Sequence, residues 1–180
     1  MLYSLKIFYF DKITNMKSVI TLFICVTFST ITFAQKCVFT KEETNIKTGL
    51  KTKSIMNSVT NQFIVWTIND GANYQIGLEI TMPELQKENI RKGDTLTILL
   101  SDNENILGFA QDKYLPIGKA DEMIEQTNYF PYYAISAADW LKICATNMQY
   151  IKVTFGNEYV GFDVIESKAK KIKAAAVCVK

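Results

Sequence analysis

The run Tyr74-Gln-Ile-Gly-Leu-Glu-Ile-Thr81 constrains the fold more than any other stretch of this chain. Tyr74, Ile76, Leu78 and Ile80 alternate with Gln75, Gly77, Glu79 and Thr81. A period of two places one set on a buried sheet face and the other on a wet one. Just upstream, Phe63-Ile-Val-Trp-Thr-Ile68 is apolar at almost every position, which predicts a central strand covered on both faces. Asp70-Gly71 between the two runs supplies the positive φ that a tight hairpin turn requires. The chain is therefore expected to fold around antiparallel strands.

The remaining pattern extends this sheet. A strand is expected over residues 51–59 after a turn at Thr48-Gly49. One or two helical turns are expected over 83–90, then a turn at Lys92-Gly93-Asp94. "TLTILLS" and "ILGFA" read as paired strands joined by "SDNEN", the stretch Ser101 to Asn105. Residues 111–128 read as a loop with a short helix over 120–126. "YFPYYAIS" reads as an aromatic strand, and Ser136 with Asp139 three residues on matches a variant capping box for a helix over 137–146. "YIKVTF" and "YVGFDVI" form a hairpin across Gly156-Asn157. A last helix is expected over 166–178, with Ala169, Ile172, Ala176 and Val179 near one face and Lys168, Lys170, Lys171 and Lys173 largely on the other. Hairpins with segregated helices define an α+β class: a mainly antiparallel sheet built from hairpins, with one inserted helix and a C-terminal helix packed on it.

The stretch from Val19 to Phe33 carries no charge, and Lys17 precedes it. Thr32 and Ala34 occupy the −3 and −1 positions of a cut before Gln35. A positive start, a short apolar run and small residues before the cut are the parts of a secretory signal. The run is interrupted by Thr and Ser and falls short of the about 20 residues of a membrane span; the other reading is an uncleaved N-terminal anchor. Met16-Lys17 is itself a plausible start, which would make residues 1–15 an extension from a mis-called start codon. Cys25 follows Ile24 and Cys37 follows Lys36, so neither offers the small preceding residue of a bacterial lipobox. The expectation is a signal peptide over 1–34, a single exported domain over 35–180, and no stable membrane span after signal removal. The chain shows no internal repeat, low-complexity tract or Pro/Gly-rich linker that would divide this domain.

Composition excludes several chemistries. The chain has no histidine, which removes Ser-His-Asp and Cys-His nucleophilic sites, His-ligated metals and His-based pH switching. The 146 residues from Gln35 carry seventeen basic and seventeen acidic side chains. A neutral domain has no electrostatic footprint for nucleic acid or an anionic membrane. No CxxC spacing exists, so zinc-knuckle and thioredoxin-like chemistry are not expected, and no cofactor or metal is implied. With the signal removed, Cys37, Cys144 and Cys178 remain. Chain ends often lie close together on a domain surface, which favours a Cys37–Cys178 bridge with Cys144 as a small buried hydrophobe. Spacing alone leaves three reduced thiols open.

Four groups are candidate sites. "SDNEN" has oxygen ligands at close spacing but lacks the following Gly and bidentate acid of a calcium loop, so a plain turn is expected. Asp121, Glu122 and Glu125 form an acidic cluster that would need burial to do acid–base work; a solvated face is expected. The four helix lysines read as a wet face. The aromatic group Tyr129, Phe130, Tyr132, Tyr133 and Trp140 is the candidate ligand-binding set, because aromatics exposed on a strand stack on sugars or apolar ligands or anchor a partner. Period two places Phe130 and Tyr132 on one face and Tyr133 with Ile135 on the other, so part of the set must be core. No catalytic residue is singled out.

The segment Cys37-Val-Phe-Thr-Lys-Glu-Glu-Thr-Asn-Ile-Lys-Thr-Gly-Leu-Lys51, with the later "KGDTLTI" and the Cys near the C-terminus, resembles a family of small exported bacterial proteins of unestablished function. Its marks are a signal, a Cys-x-aromatic start and a Thr-Gly-x-Lys segment. Asn45 stands where that pattern has an acid. The resemblance implies export and an α+β domain, and it carries no activity. The functional expectation is a non-enzymatic periplasmic or secreted domain that binds an envelope ligand or protein. The alternatives are a carboxylate- or lysine-dependent enzyme acting on envelope material and a purely structural envelope component.

Overall fold

A computed structural model describes residues 37–83, 88–121 and 124–180. The expected signal lies outside the described residues, as do residues 84–87 of the expected helical turn over 83–90 and Glu122. Cys37–Lys180 forms one unit, built from eleven strands and two helices among the described residues.

The strands β1 (Lys41–Thr44), β2 (Lys51–Ser58), β3 (Phe63–Asn69) and β4 (Tyr74–Pro83) pair antiparallel in chain order. Asp70 caps the turn between β3 and β4, its Oδ1 accepting the N–H groups of Ala72 and Asn73 at 2.9 and 2.7 Å. Gly71 there has φ of 87°, which a residue with a side chain rarely adopts. Beyond β4 come β5 (Thr95–Leu100), β6 (Asn105–Ala110), β7 (Ile117–Asp121), β8 (Ile124–Tyr129) and β9 (Tyr132–Ile135). The helix α1 (Ala137–Ala145) follows, then β10 (Met148–Phe155), β11 (Glu158–Asp163) and the helix α2 (Glu166–Val179). The sheet runs β1-β2-β3-β4-β9-β6-β5-β10-β11, with β8 on β4 and β7 on β8. All these pairings are antiparallel. The domain is thus α+β, mostly antiparallel sheet with one inserted and one C-terminal helix.

Two of the expected elements need correction. Residues 111–128 are not mainly loop with a short helix: they hold β7 and β8, because the second half of β4 needs a hydrogen-bonding neighbour. Ile80 faces Tyr129 and Pro83 faces Gln126, and this long-range pairing outweighs weak local helical preference. The aromatic strand is also divided. Tyr129 ends β8 and Tyr132 begins β9, since Pro131 has no N–H to give to a ladder. Both pieces nevertheless lie along β4, where Ile80 faces Tyr129 and Gly77 faces Tyr132. The Pro131 carbonyl bridges the gap, accepting the Leu78 N–H at 2.9 Å. Beyond Pro131 the sheet forks, with β7 beside β8 and β6 beside β9.

Both helices pack on the inner face. Ser136 caps α1, its hydroxyl oxygen accepting the Asp139 N–H at 3.1 Å and its O–H donating to Asp139 Oδ2 at 2.8 Å. Trp140 and Ile143 of α1 are buried, and the Trp140 indole donates to the Ala176 carbonyl of α2 at 3.3 Å. On α2 the buried positions are Ala169, Ile172, Ala175, Ala176 and Val179, one per helical turn or nearly so. Ala169, Ile172, Ala176 and Val179 join Phe63, Val65, Ile76, Ile98 and Ile151 of the sheet in one core. The sheet curls around this core: α2 touches β2 and β3 at one side of the path and β10 at the other. Phe63, Val65 and Thr67 of β3 point inward and are buried, whereas Ile64 and Trp66 are only half-buried on the outer face. β3 is therefore not covered equally on both faces. Cys37 and Cys178 form a disulfide that joins the start of the domain to the end of α2, and Asn69 donates to the Val179 carbonyl there at 2.8 Å.

Candidate ligand cleft on the outer sheet face

The outer face follows from the alternation along β4. Its inward set, Ile76, Leu78 and Ile80, is buried, and its outward set includes Gln75, Gly77 and Glu79. Trp66 sits opposite Gly77 on β3, and Tyr132 sits opposite Gly77 on β9. Two aromatic side chains therefore flank a residue without one. The Tyr132 ring leans into the space, since a Cβ added at Gly77 would lie 3.0 Å from its Cδ1 and Cε1. The glycine lets the ring lie against the backbone.

Around this row lies a cleft of about 400 Å³. Trp66, Phe130, Tyr132 and Ile68 give it apolar walls; Asp70, Gln75 and Glu79 give it polar ones. Phe130 and Tyr132 are 41% and 43% exposed, so their rings are open to a ligand. The first strand closes one end with Lys41 and Glu43, an ion pair at 3.0 Å. The polar groups are held in place. Trp66 donates its indole N–H to Glu79 Oε1 at 2.8 Å, and Gln75 Nε2 donates to Asp70 Oδ2 at 3.1 Å. A cleft with aromatic walls and a few fixed polar groups is the usual composition of a small-molecule site.

The aromatic set chosen from sequence divides between core and cleft. Phe130 and Tyr132 line the cleft together. Tyr129, Tyr133 and Trp140 do not: all three are at most 1% exposed. Tyr129 donates its hydroxyl to the Glu88 carbonyl at 2.7 Å and stacks near Phe155, and Trp140 stacks on Tyr74 with ring centroids 4.9 Å apart. Burial pushes the Tyr133 phenol far up from its ordinary value, with Asp94 adding to the effect. These three rings serve packing because their positions on β8, β9 and α1 face the core.

The sequence reading missed Trp66, Asp70, Gln75 and Glu79. The signal was present in the alternation, which places Glu79 and Gln75 on the wet face, but the continuous apolar run around Trp66 disguised which way that side chain turns.

The other candidate groups lie elsewhere. "SDNEN" makes the turn between β5 and β6, with Asn103 at φ 66° and Asp102 Oδ1 accepting the Glu104 N–H at 3.2 Å. Asp121 and Glu125 belong to the β7–β8 hairpin, outside the cleft. On α2, Lys170 pairs with Glu166 at 2.7 Å, and Lys168 and Lys173 are half-buried. Among the described residues, no cluster of three Cys, Asp or Glu could hold a metal ion, and no helix is long and apolar enough to cross a membrane. Cys144 is a free thiol, half-buried, with its pKa raised by burial and opposed by Lys180.

A second cleft of about 430 Å³ lies at the start of α2 between Ser101, Asn147, Gln149 and Glu166. It has no aromatic wall. The class that fold and cleft define is a curled antiparallel α+β domain with an aromatic, acidic cleft on its outer face. No protein-family model, curated protein or solved structure matches this chain.

Proposed function

We propose that this protein is an exported, non-enzymatic binding module of the cell envelope, and that the cleft between Trp66 and Tyr132 is its binding site. The observation that carries the reading is the joint exposure of Phe130 and Tyr132 beside Trp66, with polar groups already fixed around them. What sets these rings apart from other exposed aromatics such as Phe109 and Tyr159 is that they line one cleft together, and preformed aromatic clefts bind ligands at low ordering cost. The carboxylates support binding over catalysis. One oxygen of Glu79 holds the Trp66 indole, and both oxygens of Asp70 hold the turn and Gln75. The Cys37–Cys178 bridge is compatible with an oxidising compartment.

The two tryptophans, Trp66 and Trp140, make the test internally controlled. In a ¹⁵N–¹H spectrum each gives one indole N–H signal. Addition of a small-molecule fraction of the native host's envelope is expected to shift the Trp66 signal and leave that of buried Trp140 in place. No movement of the Trp66 signal with any envelope fraction would overturn the binding reading.

A further inference from the structure

The cleft's charge names a ligand class. It contains three carboxylates, Glu43, Asp70 and Glu79, against the single ammonium of Lys41, in a domain whose overall charge from Gln35 onward is zero. Lys41 is already paired with Glu43 at 3.0 Å. The remaining excess of negative charge sits at Asp70 and Glu79, on the side where Trp66 stands.

The indole and the carboxylate act together. Trp66 donates its N–H to Glu79 at 2.8 Å. Donation to an anion pushes electron density into the ring and makes its face a better seat for positive charge. A cation over an aromatic face is attracted by the ring quadrupole, most strongly by tryptophan, and the effect grows when water is partly excluded. Phe130 and Tyr132 add two further rings around the same space. The second oxygen of Glu79 is held by no described residue and is free to accept from a charged donor, a stronger bond than a neutral one. An anionic ligand would meet net repulsion here. A neutral polyol would use the rings and the hydrogen-bonding groups but gain nothing from the excess charge.

Resting on the binding reading above, we infer that the ligand of this cleft is an organic cation: a protonated amine or a guanidinium carried on a short apolar chain, its charge against Glu79 and Trp66 and its chain along Ile68 and Tyr132. About 400 Å³ leaves room for such a group with its chain, at the small end of the range of ligand pockets. The chemistry is shared by free alkylamines and by lysine or arginine side chains.

The test uses the ¹⁵N-labelled protein with butylammonium, agmatine, Nα-acetyl-lysine-N-methylamide and, as a neutral comparator, maltose. The cations are expected to move the Trp66 indole signal and leave that of Trp140 unmoved, with maltose far weaker. A preference for agmatine and butylammonium assigns the free ligand; a preference for the blocked lysine assigns a side chain. Glu79→Gln keeps an oxygen for the Trp66 N–H, so the fold is expected to persist, as the unmoved Trp140 signal will show. This change is expected to weaken cation binding on the order of tenfold, the size of one charge-assisted contact. Raised salt is expected to weaken it further. Equal binding by wild type and Glu79→Gln, or binding of maltose without the cations, overturns the cation inference and leaves the binding reading standing. Silence of all four probes overturns the cation inference as well, and the envelope-fraction titration then decides the binding reading on its own.

Discussion

Phe63 of β3 and Phe162 of β11 stack with ring centroids 3.9 Å apart and planes within 7°, although five strands separate them along the sheet path. No hydrogen-bonded ladder between β3 and β11 exists among the described residues. The curl of the sheet is therefore closed at this point by two rings and by α2. Phe162→Ala is expected to cost about 2–3 kcal/mol, somewhat below a fully buried truncation. Phe162→Leu is expected to recover about half of that. Urea unfolding followed by circular dichroism measures both.

The disulfide spans 141 residues. Closing so long a loop removes chain entropy from the unfolded state worth about 5 kcal/mol in the loop-closure model. Replacing Cys37 and Cys178 by Ser is expected to lower stability by about 2–5 kcal/mol, the range native bridges show. It is also expected to loosen the last turn of α2, where Val179 meets Asn69. Denaturation and amide exchange at the α2 C-terminus report the two effects separately. An unchanged unfolding midpoint would show that the ends are held by packing alone.

Gly77 sets the shape of the cleft. A methyl there would approach Tyr132 at 3.0 Å and Ile68 Cδ1 at 3.2 Å, so the Tyr132 ring must tilt away. Gly77→Ala is expected to leave the fold intact, with a stability change within about 1 kcal/mol because the crowded atoms belong to side chains able to move. It is expected to weaken ligand binding at least several-fold by displacing one wall of the site. Tyr132 ring resonances and a ligand titration test the claim.

Alkaline pH is expected to unfold the protein through its buried phenols. Tyr133 is raised by burial and by Asp94, and Tyr129 by burial and by Glu88 and Glu158, both from an ordinary value of 10.0. The folded state keeps these protons after the unfolded state has released them. Their contribution is therefore complete below pH 10 and is lost as pH rises above it. The Tyr133 hydroxyl is buried with no hydrogen-bond partner among the described residues. Tyr133→Phe is accordingly expected to cost nothing or to stabilise by about 1 kcal/mol, and to flatten the alkaline slope. Unfolding midpoints between about pH 8 and 11 test this sign.

Export has a direct chemical reading. If Gln35 begins the mature protein, intact mass from the host's envelope or medium will correspond to residues 35–180 or the cyclised N-terminal form. Alkylation will then find one thiol, Cys144, before reduction and three after it. Retention of residues 1–34 with all four thiols, Cys25 included, free before reduction would remove the envelope from the proposal.

The sequence by itself determined the α+β class, the pairing partners on either side of Asp70-Gly71, the capped helix beginning after Ser136 and the amphipathic helix at the end. Each rests on a local pattern: a period of two, a turn residue with positive φ, a serine three residues before an acid, a period near 3.6. It also brought Cys37 and Cys178 into consideration together, although it left their pairing open. Only the tertiary structure decided that residues 117–121 and 124–129 are strands, because β8 finds its partner in β4, about forty or more residues away, and β7 in turn pairs with β8. It alone separated Phe130 and Tyr132 from Tyr129, Tyr133 and Trp140, which look alike as aromatic residues in one short region. It alone put Trp66 beside Glu79 and opposite Gly77. Which face of a strand meets the core is set by what packs on it, and here both helices pack on one face and leave the other open.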